Sequence, residues 1–322
     1  MRRALVACCC AIAVMSPASA ADRPDAIAWL GKVSSAAASL TFSGTFVYQA
    51  GKSSETSRIA HITDATGDYE RLETLDGPPR EIVRSNGEVR FYLPQEKIVI
   101  SDHAMPRRFP AWSHFSPDQL AGNYGVRMGS LDRVAGLPAQ QVLLDARDGL
   151  RYSHVFWIEP ASGLLLKSRM LDANGGSVEQ FAFSEVTIGG LVERDKVRSS
   201  YAVLAKDWRE INARGEVVKP EENWVTCGAH VPGFKQISAV RRRIKAGGAE
   251  ALHLVFSDGL ATISVFVEPT SGSSTATLGE SSTGPTRIFK RALTGQYLVT
   301  ALGEVPPETV RRLAEAIEIK RK

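Results

Sequence analysis

Cysteine is scarce in this sequence. Of the four cysteines among 322 residues, Cys8, Cys9 and Cys10 stand within the first ten positions and only Cys227 lies further along. If the N-terminal segment is removed during export, no disulfide can form within the chain, so core packing alone must hold the fold. We expect Cys227 to be a small buried side chain; the alternative is a disulfide between two chains.

Catalytic and metal-binding patterns are also missing. The six histidines include no pair at a metal-ligand spacing such as HxxxH, and no GxSxG elbow presents a serine nucleophile. Gly51-Lys52-Ser53 resembles the end of a phosphate-binding loop, but Phe46 stands where that loop needs glycine. We interpret the spacing of Cys227 and His230 as chance rather than as a thiolate pair. The sequence therefore predicts a protein that is not an enzyme and has no metal or cofactor.

Neither sign of charge dominates the chain. Taking Arg2 and Arg3 of the N-terminal segment from the 39 basic side chains leaves 37, against 35 acidic ones. This balance provides no basic surface for nucleic acid, which an exported protein would not meet. Beyond the N-terminal segment no apolar run reaches 18 residues, so we expect no transmembrane helix and a mature chain that is soluble.

The first twenty residues have the three parts of a cleavable export signal. Met1-Arg2-Arg3 is positively charged, residues 4–15 form an apolar run, and Ala18-Ser19-Ala20 offers the small residues that a signal peptidase reads. A helix of that run reaches only about 18 Å, short of a hydrocarbon core of roughly 30 Å. We predict a signal peptide over 1–20 and a periplasmic location. The alternative is a lipoprotein box at 5–8, which only four residues precede.

The remaining chain suits two domains, the first over 21–204. A helical stripe of Ile27, Leu30, Val33 and Ala37 is followed by alternation typical of a strand over 40–48. Asn86-Gly87 predicts a tight hairpin, because a type I′ turn needs positive φ at both central residues. Further strands are predicted at 69–75, 80–84, 88–92, 97–100, 140–146, 152–159, 164–171 and 178–186. At least nine hairpin-joined strands favour a highly curved sheet or barrel, with an irregular excursion over 102–124.

A linker over 205–222 separates this domain from a second one over 223–322. Residues 205–218 carry Trp208 and alternating charges, and we expect a helix there. The second domain has predicted strands at 236–244, 251–257, 261–268, 286–293 and 297–304. A closing helix near Pro306 would present Val310, Leu313, Ala314 and Ile317 on one face. These elements predict an α+β protein that ends in a small antiparallel sheet-and-helix domain.

Aromatic side chains are concentrated on the strands of the first domain. Neighbours in sequence must point to opposite faces of a sheet, so both faces carry apolar groups. Two interpretations stay open: an ordinary core for a large curved sheet, or a concavity that holds lipid. The candidate lipid-binding residues are Phe42, Phe46, Tyr48, Phe91, Phe156, Phe181 and Phe183.

A basic stripe lies on the first strand of the second domain. Alternation places Arg241, Arg243 and Lys245 on one face. Such charge commonly protects a solvated edge strand from pairing with other chains. The alternative is a binding surface for an acidic peptide or a lipid phosphate, and these three residues are the candidate partner-binding site.

Two sets of motifs resemble known families. The first domain resembles the hairpin succession of periplasmic lipoprotein carriers of the LolA/LolB type. The residues that carry this likeness are Trp157-Ile158-Glu159-Pro160, Gly163-Leu164-Leu165-Leu166-Lys167 and Phe181-Ala182-Phe183-Ser184-Glu185-Val186. The whole mature chain resembles the RseB/MucB family of sigma-factor regulatory proteins. That likeness is carried by Trp224, Pro232-Gly233-Phe234, Phe256-Ser257-Asp258-Gly259-Leu260-Ala261, Ser264-Val265-Phe266-Val267-Glu268 and Gly303-Glu304-Val305-Pro306-Pro307-Glu308-Thr309-Val310.

The family resemblance implies an unclosed antiparallel β-barrel packed with helices, followed by the small domain. It implies a periplasmic negative regulator that binds the periplasmic part of a transmembrane anti-sigma factor and shields it from site-one proteolysis. Sensing of lipid or lipopolysaccharide would release that partner, and dimers or higher oligomers are expected. A periplasmic lipid or lipoprotein carrier is the alternative, and an envelope hydrolase has only its location in its favour.

Overall fold

A computed structural model describes residues 22–103, 117–228, 231–244, 248–270 and 277–320. The predicted signal peptide over 1–20 lies outside the described residues, as do His230, Lys245 and most of the predicted excursion over 102–124.

Twelve strands form one large sheet. Eleven of them come from the N-terminal part of the chain: β1 (Phe42–Ala50), β2 (Ser53–Asp64), β3 (Gly67–Thr74), β4 (Glu81–Ser85), β5 (Glu88–Leu93), β6 (Ile98–His103), β7 (Tyr124–Val134), β8 (Leu137–Ala146), β9 (Ser153–Ile158), β10 (Leu165–Leu171) and β11 (Ser177–Ile188). The twelfth strand, β12 (Arg209–Asn212), follows the first domain, and the strand order is β12-β6-β5-β4-β3-β2-β1-β11-β10-β9-β8-β7. The two edge strands, β12 and β7, do not pair with each other, so the sheet is unclosed.

Hairpin turns make nearly all of this sheet antiparallel. Asn86 and Gly87 have φ of 48° and 91°, which confirms the predicted tight turn between β4 and β5. Ala135 and Gly136 make a second turn of this kind between β7 and β8, with φ of 48° and 79°. Alanine seldom adopts positive φ, so the sequence gives little sign of this turn. Strands β2 and β7 are absent from the sequence prediction.

Helix α1 (Asp22–Ser39) packs against β7, β8 and the short helix α2 (Pro117–Asn123). Leu30, Val33 and Ala37 are buried as predicted, but the stripe begins at Ala26, and Ile27 is only half-buried. Ala26, Leu30 and Val33 join the apolar face of the large sheet in one core. The helix therefore forms because the sheet covers its apolar stripe.

The linker helix predicted over 205–218 is wrong. A short 3₁₀ helix (Leu204–Asp207) leads into β12 (Arg209–Asn212), which pairs in parallel with β6. Strand β13 (Glu216–Val217) then pairs with the first long strand of the second sheet. Alternating charges suit an exposed edge strand as well as a helix, and pairing with the edge of β6 overrides the helical preference. Another 3₁₀ helix (Arg194–Val197) packs on the large sheet.

The second sheet contains β13 and six longer strands: β15 (Lys235–Arg243), β16 (Glu250–Ser257), β17 (Thr262–Pro269), β18 (Gly279–Thr283), β19 (Thr286–Leu293) and β20 (Tyr297–Gly303). Their order is β13-β15-β16-β17-β20-β19-β18; five of the longer strands match the prediction, and β18 adds an edge. Helix α3 (Pro307–Glu315) buries Val310, Leu313 and Ala314 on this sheet. Two short strands, β14 (Val225–Cys227) and β21 (Ile317–Ile319), pair with each other alone and were not predicted.

Candidate functional site

A buried ion pair joins the two domains. Arg151, between β8 and β9, places Nη1 2.6 Å from Oδ2 of Asp258, which follows β16; both side chains are almost fully buried. The Tyr124 hydroxyl donates to the same carboxylate oxygen at 3.1 Å. The other oxygen accepts backbone N–H bonds from Leu260 and Ala261 at 2.9 and 2.8 Å. Burial raises the pKa of Asp258, whereas the ion pair with Arg151 and these hydrogen bonds lower it. The buried negative charge of Asp258 is thus balanced by one cation and three hydrogen-bond donors.

Further contacts make this joint continuous. The Thr309 hydroxyl of α3 donates to the Leu150 carbonyl at 2.7 Å, and the Asn123 amide of α2 donates to the Asp258 carbonyl at 3.0 Å. Leu260 of the second domain lies in the core of the first, while Leu150 lies in the core of the second. The joint is therefore made of buried side chains and hydrogen bonds from both domains.

A small acidic cavity of about 130 Å³ lies beside the joint. Glu179 of β11 and Glu304, which follows β20, line it from opposite domains. The Tyr48 hydroxyl donates to Glu179 Oε2 at 2.9 Å. Burial, and next the charge of Glu304, raise the pKa of Glu179 to about 7. His154 lines the same cavity, and burial lowers its pKa to about 3, so its ring is neutral.

The candidate lipid-binding aromatics form a packed cluster. Phe42, Phe46, Phe156, Phe181 and Phe183 are each less than 5% exposed and share a core with α1. Edge-to-face contacts link the cluster, with ring centroids 5.8 Å apart for Phe46 and Phe183 and 6.2 Å apart for Phe46 and Phe181. A ligand could reach these five rings only if the packing around them opened.

Two other candidate aromatics lie at the margins of that cluster. Tyr48 and Phe91 are half-buried. The Tyr48 ring packs against the cluster, while the Tyr48 hydroxyl donates a hydrogen bond to Glu179, which lines the acidic cavity. Phe91, on β5, lies opposite Ile82 of β4. The seven candidate residues thus occupy three different surroundings rather than one open concavity.

The opposite face of the large sheet carries a polar cavity of about 510 Å³ that the sequence analysis missed. Ser43 and Thr45 line it, and they alternate along β1 with the buried Phe42 and Phe46. Its charged lining residues are Arg58, Arg71, Glu73, Glu185 and Lys196. Lys196 reaches the cavity from the 3₁₀ helix that packs on the sheet, a placement that only the tertiary structure reveals.

The candidate basic stripe is largely paired. Arg241 bonds Glu222 at 3.0 Å, and Arg243 lies 3.8 Å from Glu250. Lys245 lies outside the described residues. Arg242, between these two arginines, bonds Asp102 of β6 at 3.0 Å and so connects the domains. Within the described chain, the stripe therefore presents less positive charge than the sequence suggests.

An apolar groove of about 970 Å³ opens between β14 and β15. Val231, Phe234 and Leu313 contribute buried apolar surface to it. Cys227, at the end of β14, lines the groove and is half-buried, where the sequence predicted a small buried side chain. Burial raises the pKa of this thiol.

The described residues contain no group of three or more His, Cys, Asp and Glu side chains placed to hold a metal ion. None of the described helices combines the length and apolarity needed to cross a membrane.

The fold and these surfaces define a class of protein: a two-domain, mostly β protein whose large unclosed sheet is joined through a buried ion pair to a smaller sheet and helix. The models of two family domains match the chain. "MucB/RseB N-terminal domain" matches residues 25–201, and "MucB/RseB C-terminal domain" matches residues 218–318. The chain belongs to the MucB/RseB family of sigma-factor regulatory proteins.

Curated relatives and solved structures agree with this assignment. The chain is 31% identical to the sigma factor AlgU regulatory protein MucB of Pseudomonas aeruginosa, with 92% of each chain covered. It is 27% identical to the sigma-E factor regulatory protein RseB of Escherichia coli K12, covering 94% of this chain and 93% of that protein. The solved MucA/MucB complex of Pseudomonas aeruginosa aligns with a TM-score of 0.73 at 29% identity, covering 92% of this chain and all of the matched one. A structure of MucB crystallised with MucA(peri) aligns with a TM-score of 0.71 at the same identity and coverage.

Proposed function

We propose that this protein is a periplasmic negative regulator of envelope-stress signalling. It binds the periplasmic part of a transmembrane anti-sigma factor and shields that part from site-one proteolysis. The observation that carries the proposal is the likeness, over 92% of the chain, to a MucB structure solved with the periplasmic part of MucA. Both domains of the chain take part in that likeness, which favours a regulator over a single-domain lipid carrier.

Lipid or lipopolysaccharide acts as the releasing signal in this proposal. The aromatic cluster supplies enough apolar surface to hold acyl chains, provided that α1 moves away from it. The arginine and lysine side chains of the polar cavity suit phosphate groups. Self-association of the regulator belongs to the same proposal and is measurable by sedimentation.

A cleavage assay tests both parts. The full mature chain is mixed with the periplasmic segment of the anti-sigma factor from the same organism, and the rate of cleavage by the site-one protease is followed. We expect stoichiometric regulator to slow cleavage at least tenfold and added lipopolysaccharide to restore it. Unchanged cleavage would refute the regulatory function. Protection that persists with lipid would refute only the sensing, and transfer of acylated cargo without protection would favour the carrier.

A further inference from the structure

The apolar groove is bounded by two strand edges that no other strand of the described chain covers. Strand β14 pairs only with β21, on one of its two sides. Strand β15 pairs with β16 along its length, but its outer edge meets β13 only at Val240 and Arg241. The Val218 N–H adds one bond to the Ala239 carbonyl. The outer edge of residues 235–238 is thus left without a partner strand in the described chain.

Both of these edges face the groove. All three residues of β14 line it, and so do five successive residues of β15, numbers 235–239. Successive side chains of a strand point to opposite faces, so a cavity that touches every residue in a row touches the edge of that strand. The groove is therefore a gap between the small β14/β21 sheet and the larger second sheet.

The lining of the gap suits an apolar chain with acidic flanks. Its buried part is formed by side chains such as Val225, Phe234 and Leu313. The charged side chains in its lining are Lys235 and Lys320, both of them exposed. Ile237 lies at a β-bulge in the edge and is 59% exposed. An exposed isoleucine on an open strand edge invites pairing with another chain.

We propose that the gap receives an extended segment of the periplasmic anti-sigma partner, which pairs as an added strand with β15 and β14. This inference rests on the function proposed above. The open stretch of β15 accommodates about four or five residues, or roughly 13–17 Å of strand. Backbone hydrogen bonds supply affinity in this mode, and apolar side chains at every second position supply selectivity. Acidic residues beside them would meet Lys235 and Lys320.

Cys227 offers a direct test, because no other cysteine follows the first ten residues of the chain. Single cysteines are placed one by one along the partner's periplasmic segment, and each variant is oxidised mildly with the full mature regulator. A disulfide needs Cβ atoms within about 3.5–4.5 Å, so only residues close to β14 can react. We expect crosslinks at alternate positions of one short stretch and none with Cys227→Ser. Absence of crosslinks, a helical spacing, or a Cys227 homodimer that excludes the partner would overturn the proposal.

A matched pair of variants gives a second readout. Ile237→Glu places a charge in the gap, whereas Leu278→Glu changes a side chain of similar exposure, 54%, just before β18 at the far edge of the sheet. We expect the first to weaken partner binding at least tenfold and the second to leave it unchanged, with circular dichroism confirming that both fold. If the wild-type chain binds and both variants bind equally, the gap is not the docking site. If the wild-type chain itself does not bind, the proposed function fails and this inference fails with it.

Discussion

The Glu179 carboxyl makes the stability of this protein depend on pH. Its pKa is raised from the ordinary 4.5 to about 7, first by burial and then by the charge of Glu304 across the acidic cavity. The folded state therefore holds the proton more tightly than the unfolded state does. The stabilisation is complete below about pH 4.5 and is lost as the pH rises through 7. A shift of this size corresponds to about 3 kcal/mol, at 1.36 kcal/mol per pKa unit.

The variant Glu179→Gln tests this reasoning, because glutamine keeps the size of the protonated side chain without its titration. Urea unfolding of variant and wild type at pH 4.5, 5.5, 6.5 and 7.5 gives the free energy of unfolding at each pH. We expect the variant to gain about 3 kcal/mol relative to wild type between the lowest and the highest pH. Glu96→Gln, in an exposed turn, is the control and should follow wild type. Parallel curves for Glu179→Gln and wild type would refute the argument.

The remaining predictions concern the joint and one turn. Arg151→Met leaves the Asp258 carboxylate buried without its partner and should lower the free energy of unfolding by about 3–5 kcal/mol in urea titrations. Recovery in the double variant with Asp258→Asn, which removes the charge but keeps an acceptor oxygen for the Leu260 and Ala261 N–H groups, would identify the buried charge as the cause. Thr309→Val removes a buried bond to a backbone carbonyl of the joint and should cost about 1–3 kcal/mol by the same measurement. Gly163→Ala puts a Cβ 2.9 Å from a backbone carbonyl of α1 at φ +77°, and should cost about 3 kcal/mol in thermal unfolding. Gly51→Ala, at φ +58° in open space, should cost only about 1 kcal/mol, and equal effects would contradict the close approach.

Local patterns predict most elements of this fold. Alternation along β1 and the Asn86-Gly87 turn are properties of a few neighbouring residues, so the sequence reveals them directly. Strand β12 is different, because its four residues become a strand only by pairing with β6, more than a hundred positions earlier in the chain. The same reason explains the wrong linker helix: its alternating charges fit either structure until the partner strand is known.

The surfaces of the candidate site depend on such distant pairs even more strongly. Glu179 and Glu304 are 125 positions apart, and nothing near either residue indicates that they share a cavity. The gap beside β15 exists because β13 is only two residues long. The alternation of residues in the sequence does not predict the length of so short a strand. The aromatic residues were recognisable as a group from their alternation, but alternation does not tell which face α1 covers.

The linker between the domains also sets how the molecule responds to tension. Its two ends are fixed in different sheets, β12 in the large sheet and β13 in the seven-stranded second sheet, and only residues 213–215 lie between them. That stretch spans at most about 14 Å when fully extended, so the linker would become fully extended after the domains had separated by a short distance. A pulling force would then act on the strand pairings themselves. Of these two pairings, the two residues of β13 should separate before the four residues of β12, so the strand that borders the groove is the weaker of the two attachments.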